Sequence, residues 1–223
     1  MDATGSFVVV VAGGDAVPER ALEGIPTDAL VIAADSGVDY ALALGLVVAV
    51  AIGDFDSVTA KGLDAVEAGG AEIIRYPADK DATDLELALD EALARGAATV
   101  VVIGGHGGRL DHLLANASLL AAPQYADVAI SARWGPADVV IVRAGTTVLS
   151  APVGSIVSLL PVHGSAIGVR TSGLRYPLDG EDLPLGTSRG VSNVFDAPTA
   201  RVSVETGTVL AVLPGNDDEG NPS

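Results

Sequence analysis

A procession of aspartates runs along this chain, placed just after apolar runs. The run Leu30 to Ala34 closes on Asp35, and the run Val47 to Ile52 closes on Gly53-Asp54-Phe55-Asp56-Ser57. Asp79-Lys80-Asp81-Ala82-Thr83-Asp84 opens a helical pattern, and Val100 to Ile103 leads into Gly104-Gly105-His106-Gly107-Gly108-Arg109-Leu110-Asp111-His112. In an open α/β sheet, ligands bind beyond the carboxyl ends of the strands. Carboxylates gathered there repel one another unless a cation lies among them. Hard oxygen donors suit Mg²⁺, which is usually held by one or two carboxylates together with substrate phosphates. The spacing therefore predicts a metal-dependent enzyme acting on a phosphorylated substrate.

Each motif also has a plainer reading. Asp54 and Asp56 are two apart, so in an extended segment both face one way and can share a metal; the same residues also suit an ordinary turn. Thr83 and Glu86 have capping-box spacing, and Asp84 falls in the first helical turn, where the dipole favours it. That fixes a helix start and leaves Asp81 and Asp84 available as metal ligands, with Lys80 either on phosphate or in solvent. Gly104 to His112 passes from a strand into a helix, a natural anion site, and Arg109 adds a planar fork of donors. It lacks the Gly-Lys-Ser/Thr ending of a Walker A loop, and it does not match the dinucleotide fingerprint. His112 is either a ligand or base, or the residue that orients Asp111. With no cysteine and only His106, His112 and His163, zinc is disfavoured. Farther on, Gly173-Leu174-Arg175-Tyr176-Pro177-Leu178 and Ser188-Arg189-Gly190-Val191-Ser192-Asn193 offer a ring, hydroxyls and an amide for a flat ligand; alone they read as turn residues around one core tyrosine.

Strands must carry these residues to a common edge. The pattern predicts strands at 6–12, 29–34, 47–52, 72–76, 99–103 and 127–132, Val/Ile-rich with little alternation, as in strands buried on both faces. Helical segments lie between them. The clearest is 84–95, with Leu85, Ala88, Leu89, Ala92 and Leu93 on one stripe. Strand and helix alternating in this way predict a mainly parallel sheet with flanking helices. Past about Ala137 only short strands follow, at 138–143, 146–149, 155–161, 166–171, 201–205 and 209–213, punctuated by Gly and Pro. This predicts a small all-β sandwich or barrel. The expected division is 1–136, 137–215 and an acidic frayed tail at 216–223.

At 223 residues and 49% hydrophobic, the chain is long and apolar enough to bury a core. Its formal net charge of −17 disfavours nucleic acid as a partner. The absence of cysteine suits a reducing compartment, which fits a cytoplasmic protein. The first apolar run lacks a basic leader and is read as a strand, not a signal peptide. No apolar stretch reaches membrane-spanning length, so no membrane partner is expected.

Taken in order, Ala34-Asp35-Ser36-Gly37, Gly53-Asp54-Phe55-Asp56-Ser57, Asp79-Lys80-Asp81-Ala82-Thr83-Asp84-Leu85-Glu86, Gly107-Gly108-Arg109-Leu110-Asp111-His112 with Asn116, Gly173 to Leu178, and Ser192-Asn193 resemble the thiamine pyrophosphokinase (thiamine diphosphokinase) family. The likeness runs from about Val8 to Leu213. It implies a Rossmann-like α/β domain binding ATP and Mg²⁺, a C-terminal β-sandwich, and a homodimer with thiamine held between the α/β domain of one subunit and the sandwich of the other. It implies Asp54, Asp56 and Asp84 as the acidic metal and diphosphate centre, with Asp35 and Asp81 close by. It places Asp35, Lys80, Thr83, Arg109, Asp111, His112 and Asn116 on ATP, and Tyr176, Ser192 and Asn193 on thiamine. Asp54, Asp56, Asp84 and Arg109 are the expected catalytic group. Ser36 stands where many members have glycine, which is tolerated unless that backbone needs positive φ. Tyr176 stands where some have tryptophan.

The implied reaction is transfer of the terminal diphosphate of ATP to the hydroxyl of thiamine, giving thiamine diphosphate and AMP. Two alternatives stay open: a diphosphokinase for another hydroxymethyl heterocycle, and a non-catalytic sensor of nucleotide or thiamine diphosphate.

Overall fold

Val8, Val9, Val10 and Val11 have no exposed surface at all, the signature of a strand covered on both faces. They form the centre of β1 (Ser6–Ala12). The computed structural model describes residues 5–215, and the tail expected at 216–223 lies outside them. The protein is mixed α/β with extensive sheet and, among the described residues, four α-helices. It divides into two units, Met1–Leu119 with Asp127–Gly135, and Leu120–Ala126 with Pro136–Ser223.

In the first unit, β1 is joined by β2 (Leu30–Ala34), β3 (Val50–Gly53), β4 (Glu72–Arg75), β5 (Ala97–Ile103) and β6 (Ala129–Trp134). All pair in parallel, in the order β4-β3-β2-β1-β5-β6. The chain steps outward from β1 to β4, then returns to the other side of β1 as β5. The crevice where such an order reverses, outside the carboxyl ends of β1 and β5, is where open α/β sheets take ligands.

The helices are α1 (Gly37–Ala43), α2 (Ala60–Ala68), α3 (Asp84–Ala94) and α4 (Leu110–Leu120). Val38 and Ala41 of α1 and Val66 of α2 share one apolar cluster with Val9, Val11, Val31, Ala33, Ala51, Val101 and Ile103. Asp39 of α1 fixes the start of α2: it accepts from Thr59 N–H at 2.8 Å and from the Thr59 hydroxyl at 2.6 Å. Thr59 Oγ1 in turn accepts from Gly62 N–H. On α3, Leu85, Ala88, Leu89 and Ala92 are buried as the spacing predicts. Leu93 is 39% exposed, so the stripe is one residue narrower than expected. The third strand begins at Val50, not Val47; Val47 lies in the connection from α1 and is 82% exposed.

The second unit contains β7 (Ala137–Val142), β8 (Gly145–Ser150), β9 (Ile156–Ser172), β10 (Asp179–Leu183), β11 (Asn193–Val194), β12 (Thr199–Val204) and β13 (Thr206–Leu213). All the pairings are antiparallel: β7 with β13, β13 with β9, β9 with β12, β12 with β8, and β10 and β11 with β9. Its core is built on Val157, Leu159, Val169, Leu183, Phe195, Ala200, Val202, Val209 and Ala211. The strands expected at 155–161 and 166–171 are one strand, β9. His163 (φ +58°) and Gly164 (φ +141°) bend it without ending it. Its pairing shifts there: Thr208 faces Val162, and Thr206 faces Ile167. Arg143 ties residues 120–126 to this unit by donating to the carbonyls of Leu120, Ala121, Ala122 and Tyr125 at 3.1–3.4 Å. Among the described residues no helix is long and apolar enough to cross a membrane.

Candidate active site

The carboxyl ends of β1, β2, β3 and β5 open on a cleft of about 760 Å³. From β1 come Gly13, Gly14 and Asp15, and from β2 Asp35 and Ser36. Beyond β3 lie Asp54, Asp56 and Ser57. Lys80, Thr83 and Asp84 lead into α3, and Gly105 to Arg109, His112 and Asn116 follow β5. The glycine segments of β1 and β5 are stitched together across the reversal point. Gly105 N–H donates to the Gly13 carbonyl at 2.7 Å, and Asp15 N–H donates to the His106 carbonyl at 2.8 Å.

The acidic centre forms because strand ends bend sharply there. Asp35 (φ +45°) and Phe55 (φ +62°) are held in the left-handed region. Such backbone is costly for residues with a side chain and collects at functional sites. Asp54 Oδ1 accepts from Asp56 N–H at 3.1 Å, which closes the turn. The result brings carboxylate oxygens of Asp35, Asp54 and Asp56 within 4.8 Å of one another. Gly53 (φ +145°) backs this cluster; a Cβ there would lie 3.0 Å from Asp84 Oδ1 and 3.3 Å from Asp35 Cβ. Asp35 Oδ1 is buried with no hydrogen-bond partner.

Lys80 is not the solvated lysine its motif also allowed. Its side chain is only 12% exposed, and its ammonium lies 3.0 Å from Asp54 Oδ2 and 3.1 Å from Asp84 Oδ1. The contact with Asp54 is a hydrogen bond, whereas the one with Asp84 is an ion pair without hydrogen-bond alignment. The Lys80 bond holds the Asp54 carboxyl below its usual range. Burial pushes Asp84 up, against the pull of Lys80. On Lys80 itself burial works downward, but the two carboxylates outweigh it and its pKa is raised.

Of the other expected residues, Thr83 caps α3, its Oγ1 accepting from Glu86 N–H at 3.2 Å. Ser36 has φ −58°, so serine fits there without strain. Asn116 is buried, and its Nδ2 donates to the Gly105 carbonyl at 2.7 Å, steadying the glycine loop. Arg109 and His112 line the cleft. Asp111 and Asp81 do not line it: Asp111 instead accepts from Arg109 at 2.5 and 3.2 Å, which drops its pKa to about 2. The cleft also takes in Gly13-Gly14-Asp15, which no motif assigns to it, and His106 from within the Gly104–His112 segment. A glycine pair and aspartate directly after the first apolar run was the available signal. The His106 imidazole is pushed down by burial, against the opposing charge of Asp15.

In the second unit, Asn193 is 6% exposed and its amide makes three hydrogen bonds. Oδ1 accepts from Tyr176 N–H at 3.0 Å and from Val194 N–H at 2.9 Å, while Nδ2 donates to the Tyr176 carbonyl at 2.7 Å. This clamp presents the Tyr176 ring outward, 60% exposed, so it is not a core tyrosine. Ser192 beside it has φ +59°, and its N–H donates to Ser158 Oγ.

A convergent set of carboxylates, a glycine-lined crevice and two cationic side chains at the reversal point of a parallel sheet define a phosphate-handling α/β enzyme site. The family model described as thiamin pyrophosphokinase, catalytic domain, matches residues 24–132. The model described as thiamin pyrophosphokinase, vitamin B1 binding domain, matches residues 146–209. Thiamine pyrophosphokinase of Bacillus subtilis strain 168 is 30% identical over 207 residues, which cover 91% of this chain and 96% of that protein. The crystal structure of the Bacillus subtilis thiamine pyrophosphokinase superposes with a TM-score of 0.84 at 25% identity, over 95% of this chain and 100% of that one. A thiamin pyrophosphokinase family protein from Enterococcus faecalis does so with a TM-score of 0.81 at 29% identity, over 95% and 100%. The chain belongs to the thiamine pyrophosphokinase family of enzymes.

Proposed function

We propose that this chain is a thiamine diphosphokinase: the hydroxyl oxygen of thiamine attacks the β-phosphorus of ATP, the bond from that phosphorus to the α,β-bridging oxygen breaks, and AMP leaves. The hydroxyl proton is released, and the products are thiamine diphosphate and AMP. The observation that carries this reading is the convergence of Asp35, Asp54 and Asp56 within 4.8 Å beside a crevice sized for a nucleotide.

Mg²⁺ fits this donor set. The ligands are all hard oxygens, and the buried, unpartnered Asp35 Oδ1 needs a positive partner. Asp35, Asp54 and Asp56 would hold the ion, with Asp84 beside them. When bound, it neutralises charge on the polyphosphate. The chain's own residues do the rest by positioning and charge, as this chemistry requires. The loops of β1 and β5, steadied by Asn116, cradle the nucleotide with backbone N–H groups. Arg109 and Lys80 face the transferred phosphates. Asp81 and Asp111 take no direct contact in this reading; Asp111 aims Arg109.

In this reading the first unit is the Rossmann-like, ATP-binding part, and the second unit is the thiamine-binding β-sandwich. There the Tyr176 ring stacks on thiamine, Ser192 lies beside it, and Asn193 sets the ring's position. A cytoplasmic homodimer with thiamine between subunits follows from the family likeness, and sedimentation of the purified protein tests the dimer. The test of the reaction is AMP release from ATP and Mg²⁺, with and without thiamine, with the product weighed by mass spectrometry. Thiamine-dependent AMP and thiamine diphosphate are expected. AMP formed only with another alcohol would move the acceptor, and nucleotide binding without AMP would make the protein a sensor.

A further inference from the structure

In the free enzyme the acidic cluster already has a cation. Lys80 puts its ammonium between Asp54 and Asp84 at 3.0 and 3.1 Å, with its side chain almost shut off from water. Both oxygens of Asp54 are thereby engaged, Oδ1 by Asp56 N–H and Oδ2 by Lys80. Asp54 is also the residue common to the Lys80 pair and to the convergent group with Asp35 and Asp56. A second cation bound to that group would share a carboxylate with the ammonium, and like charges so close repel strongly in a partly buried site.

A lysine suits an exchange. Its charge is compact and sits on a flexible four-carbon stem, and the stem here is rooted at the rim of the cleft that Arg109 also lines. We propose that Lys80 is the resident counter-ion of the free enzyme, occupying the carboxylates until a divalent metal arrives with the nucleotide and then swinging from Asp54 to the nucleotide's phosphates. Lys80 thus makes the empty site bind metal weakly on its own, and couples metal entry to arrival of a polyphosphate that gives the ammonium a new partner. This rests on the reading of the cluster as a metal centre.

The test is Mn²⁺ binding to nucleotide-free enzyme, followed by the paramagnetic resonance of free Mn²⁺. Lys80→Met, which keeps the stem and drops the charge, should bind Mn²⁺ roughly tenfold or more tightly than wild type. Lys80→Arg should show no such gain. Equal or weaker binding by Lys80→Met overturns the proposal. If wild-type binding is then still abolished by Asp54→Asn, the metal centre stands and only the role of Lys80 falls. No Mn²⁺ binding by any form, even with a non-hydrolysable ATP analogue, overturns both. Because Lys80→Met leaves carboxylates uncompensated and is at risk of misfolding, a wild-type measurement runs beside it. In lysine-labelled protein, one side-chain ammonium resonance, assigned by its loss in Lys80→Arg, should shift when Mg²⁺ and the analogue are added together. An unmoved Lys80 resonance overturns the exchange.

Discussion

Asn193→Ala separates two roles that one amide can play beside a ligand. The side chain makes three hydrogen bonds, two to the Tyr176 backbone and one to Val194 N–H, and it is 6% exposed. Its acceptor oxygen is taken twice and one of its two N–H donors is used, so its main work is holding Tyr176 and not facing thiamine. Truncation strands the Tyr176 and Val194 groups, each worth about 1 kcal/mol where water reaches and up to ~3 kcal/mol where it does not. Tyr176 stands at the surface and Val194 is half-buried, so the lower end applies to all three groups, and the sum is about 3 kcal/mol. For a chain of this size that lowers the melting temperature by roughly 6–12 °C. The Tyr176 ring, no longer held, loses its place against thiamine, and the KM for thiamine rises roughly two- to tenfold, the worth of one aromatic contact. The rate at saturating thiamine should stay near wild type, because the acidic cluster belongs to the other unit. Thermal melts and steady-state AMP release read the two effects on one preparation. Asn193→Asp, which keeps both acceptor bonds, should lose less stability than alanine. A raised KM with an unchanged melting temperature would refute the reasoning, since the amide would then be touching substrate and not holding Tyr176.

Three further outcomes follow from the first unit. Gly53→Ala forces a side chain onto φ +145° and against Asp84 and Asp35; urea unfolding should show a loss of about 1–3 kcal/mol, with weaker Mn²⁺ binding, and an unchanged midpoint would show that the cluster is not packed as described. His106 has its pKa lowered by burial, so between that depressed value and the ordinary 6.5 the unfolded chain binds more protons than the native one. Stability should therefore fall as pH drops below 6.5 and level off below the native value; His106→Gln should flatten this slope in melting curves from pH 8 to 5, and an identical slope would clear His106 of it. Arg109 is 69% exposed and, among the described residues, pairs with Asp111, itself 64% exposed, so Arg109→Ala should leave the melting temperature unchanged while AMP formation drops by at least tenfold, a scale set by loss of one charge-stabilising group; a stability loss without a rate loss would make the pair structural.

The Val runs of the first unit were legible because a strand buried on both faces needs no alternation; β1 starts and ends at the expected residues. The capping spacing around Thr83 likewise placed the start of α3, since a cap is a local rule acting over three residues. The break expected near His163-Gly164 failed for the opposite reason. Turn-forming residues mark positive φ, and positive φ also serves to bend a strand whose partners continue past it. Aspartates at strand ends announced an acidic site. Which of them meet depends on register between strands, so Asp35 joining Asp54 and Asp56 while Asp81 stays outside the cleft could not be read from spacing. Lys80 and Asn193 were picked out as ligand contacts by type. Their observed partners are protein groups, a distinction that only distances and burial make.

The bent strand β9 gives the second unit a single point of failure. β10, β11, β12 and β13 all hydrogen-bond to it. The segment carrying Tyr176 is tethered through Asn193 to β11, and β11 itself pairs with Ile156 and Val157 at the start of β9. No pairing strand of that group can peel away without uncovering β9. In hydrogen exchange, the amides of β9 on both sides of the bend should therefore open with one common free energy, as one cooperative block. The surface that presents Tyr176 then persists or melts as a whole, rather than fraying loop by loop.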